Sequence, residues 1–126
     1  MVVLNQYTHF LYVQHCDAPT IAENGDRLPG AVSWRLHSIC REETAGKGVE
    51  SNSGEKRTYQ FSSLIQLPTS CKRIKEGITV LVSETLLDVE TLDDAAIKAF
   101  KDDGTIRIIG KNAKFDSGRL HCRMWV

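Results

Sequence analysis

Four histidines and four cysteines supply the residue types that could do chemistry in this chain. Six of the eight stand in three pairs: His15-Cys16, His37-x-x-Cys40 and His121-Cys122. Imidazole and thiolate are the ordinary ligands of zinc, and a thiol beside an imidazole is also a nucleophile with its base. The spacing tests both ideas. On a strand, neighbouring residues point to opposite faces, and so do residues three apart, because the offset is odd. Neither His121 with Cys122 nor His37 with Cys40 could then clasp one ion. A site drawn from one member of each pair is geometrically open, but nothing in the spacing calls for it. Ordinary placement, cysteine inside and histidine outside, is the expectation, with no metal site and no cofactor.

Other constellations do no better. The chain has no Gly-x-Ser-x-Gly elbow, no glycine-rich phosphate loop before a helix and no His-Glu-x-x-His. Asp93-Asp94 and Asp102-Asp103 are paired carboxylates, but they flank a predicted helix, where capping and solvation explain them. The basic cluster Lys72, Arg73 and Lys75 could meet a phosphate or an acidic partner, though a solvated turn is the plainer reading of so small a patch. No catalytic constellation emerges, and the expectation is a non-enzyme.

The elements that would position these residues are mostly strands. In 32–40, Val32, Trp34, Leu36 and Cys40 alternate with Ser33, Arg35 and His37, with Ile39 as the exception. In 58–67, Tyr59, Phe61, Ile65 and Leu67 alternate with Thr58, Gln60, Ser62 and Gln66, and Pro68 ends the run. Further strands are expected at 78–83, at 105–110 and from Leu120 onward. The stretch 2–13 is β-branched and aromatic with apolar groups on both faces, as in a strand covered on both sides. About six strands at short spacings predict a mainly β fold, a small antiparallel barrel or sandwich, as one domain over 1–126.

One segment has helical period. Leu92, Ala95, Ala96, Ala99 and Phe100 form a stripe over about 91–101, with Thr91 and Asp94 as a capping box and Gly104 as terminator. Such a helix reads as a lid over one open end of the barrel. Two loops stand out. Residues 17–30 carry Asn24-Gly25 and Pro29-Gly30, both turn signals. Residues 44–57 have three glycines and almost nothing apolar, which predicts a mobile loop, either decoration or a contact surface that orders on binding. Its charged residues Lys47, Glu50, Lys56 and Arg57 are candidate partner contacts.

The closing hairpin predicts its own register. Pairing Phe115 with Leu120 around a turn at 116–119 sets Ala113 against Cys122, Lys111 against Met124 and Ile109 against Val126. All but Lys111 are apolar, so this is the expected core face. Asn112, Lys114, Asp116, Arg119, His121 and Arg123 fall on the other, and a one-residue slip would mix the two sets. Gly118 is expected to supply a positive φ to the turn. Trp125 is expected to face outward beside Gly110, either covered by the helix or available to a partner.

Composition bounds the rest. The 126 residues are 41% hydrophobic and 25% charged, the make-up of a globular domain large enough to bury a core. Sixteen basic residues balance sixteen acidic ones, so no global field draws the chain to nucleic acid or an anionic membrane. No apolar run approaches the ~20 residues of a membrane span. The N-terminus lacks the basic start and cleavage site of a signal peptide, and the expectation is an intracellular protein.

The order of features in the second half resembles a known family. A strand ending in Leu-Pro (FSSLIQLP) leads to a basic turn, then IKEGITVLVSE, an insertion, and GTIRIIGKNAKFDSGRLHCRMWV. This is similar to the small head-closure, or head–tail joining, proteins of tailed bacteriophages, in particular prophage versions. The counterparts of that family's strand after a glycine and of its closing hairpin are Gly77 to Val82 and Leu120 to Val126, and HSICREE at 37–43 looks like its N-terminal half. The resemblance implies a β-barrel subunit of a homo-oligomeric ring in the virion neck, assembled in the bacterial cytoplasm between the portal or adaptor and the tail. Such a subunit can be a monomer in isolation. It implies portal, adaptor and tail proteins as partners, packaged DNA at most indirectly, no membrane and no catalytic residue. Loop 44–57 would then project into the channel or grip a neighbour. The alternatives are another tail-completion or terminator subunit, or an oligonucleotide- or small-ligand-binding barrel that stacks bases on Tyr7, Tyr12 or Trp125.

Overall fold

In the computed structural model, residues 6–43 and 63–126 are described. The predicted alternation yields a mainly β fold built on one seven-stranded antiparallel sheet. Its strands are β1 (His9–Cys16), β4 (Val32–Glu43), β5 (Leu64–Leu67), β6 (Thr79–Ser83), β7 (Ile106–Lys111), β8 (Lys114–Asp116) and β9 (Cys122–Trp125). Two short strands, β2 (Thr20–Ile21) and β3 (Arg27–Leu28), pair only with each other, and one helix, α1 (Asp94–Asp102), joins β6 to β7. The order is β7-β6-β1-β4-β5-β9-β8. Of the two expected forms, barrel and sandwich, the closed barrel does not form, since no ladder joins β7 to β8, and the fold is sandwich-like. The sheet is nevertheless folded over. Its first and last strands are consecutive in the chain, with only Asn112 and Ala113 between them, so the two ends must meet at that corner.

The long strand β4 makes the fold possible by serving both halves. It pairs with β1 through Val32–Cys40 and with β5 through Arg41–Glu43. Between the halves lies the main core, including Leu11, Cys40, Ile65, Leu67, Val80, Val82, Phe115, Cys122, Met124 and Val126. Alternation sends the intervening residues of β1 and β6 to the other face. There Tyr12, Trp34, Leu81, Leu92 and Ile106 form a second core, against which Ala96, Ile97 and Phe100 of the helix pack. The helix therefore covers a sheet face and does not plug a barrel end. Tyr12, buried in that layer, accepts a 2.7 Å hydrogen bond from the Leu87 amide.

Several local expectations are corrected. The helix starts two residues later than Thr91 would cap it. A short 3-10 helix occupies Val89–Thr91, and Asp93 is the N-cap, its carboxylate accepting from Ala96 N at 2.8 Å. The packed stripe is Ala96, Ile97 and Phe100, whereas Ala95 and Ala99 are exposed. Gly104 does end the helix, with a φ of 88°. In β4, Trp34 and Cys40 enter different cores, although their even spacing places them on one face. A β-bulge explains this. Leu11 pairs with Ser38 and Tyr12 with Leu36, so His37 is the extra residue and the alternation reverses across it.

The closing hairpin departs most. Phe115 pairs with Met124, four residues beyond the expected Leu120, and Lys111 and Ile109 pair with β6 instead. An even slip keeps the faces, so Cys122, Met124 and Val126 are buried as expected. The longer loop leaves Leu120 exposed, and the corner leaves Ala113 exposed while it buries Asn112. Gly118 has no positive φ; what it allows is close approach, since a Cβ there would lie 2.4 Å from the His121 carbonyl oxygen.

The thiols are decided by the same layering. Cys16 is exposed, Cys71 half-buried, Cys40 and Cys122 buried, and all four are free. Burial pushes the Cys40 thiol up to about 12 and the Cys71 thiol to about 11, against an ordinary 9.0. Thiolate is the reactive form. Titration of the native protein with a thiol reagent at pH 8 is therefore expected to label Cys16 rapidly, Cys71 slowly, and Cys40 and Cys122 only on unfolding. Rapid labelling of Cys40 would show that the main core is open. Because both raised thiols are neutral in the fold and ionise near 9.0 when unfolded, stability is expected to fall as pH rises from 9.0 toward these folded values.

Candidate docking surface

The basic turn after β5 does not stand alone. A cleft of about 380 Å³ lies where β1 and β4 meet segment 73–78. Arg73 and Lys75 line it, joined by His15, Arg35 and His37, with Ile74, Ile78 and Val13 also in the wall. The last three belong to or pack on the main core, so the charged groups are mounted on rigid structure. Arg35 points here because it is one residue from the buried Trp34 on β4, and His15 is near the outer end of β1. The bulged His37 ties the wall together: its Nε2 is 2.9 Å from the Lys72 carbonyl oxygen. Lys72 is exposed beside the cleft. The Arg73 guanidinium lies 5.9 Å from the Phe115 ring centroid, at the outer range of a cation–π contact. His15 Nε2 is 3.2 Å from Asp17 Oδ1.

Three fixed positive charges, Arg35, Arg73 and Lys75, thus line one concavity, and none of its lining residues is a carboxylate among the described residues. Such a surface takes a phosphate or a carboxylate. Sequence reasoning found Arg73 and Lys75. It missed Arg35, His15 and His37, because their approach depends on the packing of segment 73–78 across the strand ends.

Trp125 lies elsewhere. Its ring is half-buried under the Lys114 ammonium, 5.3 Å from the centroid, and its strand neighbours are Leu64 and Lys114. The residue packed against Gly110 is Val126, whose Cγ1 would be 3.1 Å from an added Cβ. Trp125 is therefore a covered ring on the outer face of β9. Lys47, Glu50, Lys56 and Arg57 lie outside the described residues.

A third cluster was not visible in the sequence. Arg107, the bulged residue of β7, ion-pairs with Glu42 (Nε–Oε1 2.5 Å) and Glu84 (Nη1–Oε2 3.6 Å). The bond from Glu42 raises the Arg107 pKa further above its ordinary value. His9 accepts from the Glu42 amide at Nδ1, 3.4 Å, and burial followed by the Arg107 charge holds its pKa below the ordinary value. A neutral imidazole and two carboxylates are thus gathered around one guanidinium, which both carboxylates share.

Among the described residues no group of three or more His, Cys, Asp or Glu side chains is placed to hold a metal ion, and no helix is long and apolar enough to cross a membrane.

The β2–β3 hairpin is a further exposed feature. It rises from the β1–β4 connection, where Asp17 N donates to Ala31 O at 2.9 Å, and turns at Gly25, φ 90°. All four strand residues are exposed, with Ile21 at 74% and Leu28 at 46%. Gly30 is required at its base, since a Cβ there would sit 1.8 Å from the Asp17 carbonyl oxygen. Compared with protein-family models, with curated proteins and with solved structures, the chain shows no match in any of the three.

Proposed function

We propose that this protein is a structural assembly subunit, a head-closure or head–tail joining protein that sits in a ring between a phage portal or adaptor and the tail. The observation that carries the reading is the β2–β3 arm. A hairpin of two residues per strand is marginal by itself. This one stands clear of the sheet and offers Ile21 and Leu28 to solvent, and an exposed apolar arm on a small rigid body is a means of gripping a neighbour. The basic cleft supplies a second contact for an acidic partner. The family resemblance supplies the identity of the neighbours.

The stacking reading of the alternative, an oligonucleotide-binding barrel, loses support at two of its aromatics. Tyr12 is buried and hydrogen-bonded, and Trp125 is covered by Lys114.

Replacing residues 18–30 by a short turn tests the assembly role. The stem bond between Asp17 and Ala31 closes β1 onto β4, and the arm strands bury nothing. The shortened protein is therefore expected to keep its circular dichroism and melt within a few degrees of the parent. Particles assembled with it are expected to lose DNA and fail to join tails, as seen by electron microscopy and infectivity. Full complementation by the shortened protein would refute the role of the arm. Neighbouring genes that encode no portal or tail protein would remove the proposed partners.

A further inference from the structure

The loop between β8 and β9, residues 117–121, borders a second, open concavity of about 660 Å³. Its wall includes Asp116, Ser117, Arg119, His121 and Arg123. Three observations make it a built feature. First, the loop is folded tightly on itself, because Gly118 lies where any Cβ would strike the His121 carbonyl. Second, His121 Nε2 is shielded from solvent and has no hydrogen-bond partner in the protein, a state that buried polar atoms rarely hold without a water or a ligand. Third, among the described residues Arg119 and Arg123 have no ion-pair partner, whereas Asp116 is occupied by Lys114 at 3.6 Å. Two guanidiniums without an ion-pair partner among the described residues, beside an imidazole nitrogen in want of one, are donors suited to an oxyanion.

We infer that this loop is a docking pocket for a side-chain carboxylate of an acidic partner protein. The chemistry favours protein over nucleic acid. Asp116 in the wall opposes a phosphodiester chain, which carries one charge per link, more than it opposes a single carboxylate. The site is one small pocket and not a groove that tracks a backbone. Leu120, 84% exposed on the rim, adds an apolar contact suited to a peptide. The inference does not depend on the assembly role, since any acidic protein partner would satisfy it.

The test is a titration of the isotope-labelled whole chain, followed by NMR, with a capped oligoglutamate and separately with oligothymidylate at low salt. Oligoglutamate is expected to move the His121 ring and the Arg119 and Arg123 side-chain resonances saturably, and high salt to weaken the effect. The double variant R119A/R123A is expected to bind at least about tenfold more weakly. His121→Phe keeps the ring shape and removes the nitrogen; it is expected to weaken binding while leaving the melting temperature unchanged or higher. Three results would each overturn the pocket as described: no saturable shift with millimolar oligoglutamate, equal binding by R119A/R123A, or unchanged binding by His121→Phe. Tighter binding of oligothymidylate would reassign it to phosphodiesters. Failure of the arm deletion to affect particles would leave these outcomes untouched, so the two readings fail separately.

Discussion

Asn112→Leu is expected to destabilise the protein by about 3 kcal/mol, through the loss of three hydrogen bonds in one buried place. Asn112 is 2% exposed. Its Nδ2 donates to the carbonyls of Ile74, at 2.8 Å, and Lys75, at 3.1 Å, and its Oδ1 accepts from Lys114 N at 3.1 Å. Leucine keeps the γ-branched shape, though it is larger, and leaves two carbonyls and an amide without partners, and each unmatched buried group costs about 1–3 kcal/mol. Lys114 is exposed, so water can recover part of that loss. The backbone bonds of residue 112, N to Ile78 O and O from Gly77 N, survive the change. In urea the unfolding midpoint should fall by about 1–3 M with the slope unchanged. Asn112→Asp keeps the acceptor and loses both donated bonds, and is expected to fall nearly as far. A midpoint within error of the parent for both variants would show that the corner is not held by this side chain. The size of the effect follows from position. Asn112 stands where the chain leaves β7 at one end of the sheet for β8 at the other, so its side chain ties the folded-over ends to segment 74–75.

Met124→Ala is expected to cost about 2–5 kcal/mol, the range for truncating a large buried side chain. Met124 is fully buried, and its strand lies between β5 and β8, where it pairs with Ile65 and Phe115. Met124's own strand and that of Ile65 are held by ladders on both sides, so the cavity cannot collapse easily. Met124→Leu, similar in volume, should cost less than about 1.5 kcal/mol. Calorimetry of both variants checks the pair. If alanine and leucine were equally mild, Met124 would not be part of the main core.

The closing segment shows how far local reading goes. His121 beside Cys122 is not a reactive pair: Cys122 enters the main core, and His121 sits in the loop ahead of β9. Alternation alone places Cys122, Met124 and Val126 inward, because a strand with one buried face permits only even slips. Alternation does not say which even slip. Phe115 meets Met124 and not Leu120, since turn length, the corner at Asn112 and pairing of β7 with β6 were settled by distant contacts. The polar type of Asn112 marked it for the solvent side, and only the two carbonyls from segment 74–75 make its burial tolerable. In β4 the alternation misleads across His37, because a bulge depends on the partner strand as well as on the strand that carries it.

By itself, then, the sequence determined the elements. It showed period-two strands, a helix ended by Gly104, a turn at Asn24-Gly25, and a closing strand with Cys122, Met124 and Val126 inward. These follow from backbone geometry over a few residues, with periods of 2.0 and 3.6. Tertiary structure alone decided that the sheet folds over without closing. It also brought Arg35, His15 and His37 to Arg73 and Lys75, paired Arg107 with Glu42, and left His121 Nε2 shielded without a partner. Each of those joins residues far apart in the chain or depends on a loop's path. Contacts of that kind are selected by burial and charge pairing of the whole domain, and no local period encodes them.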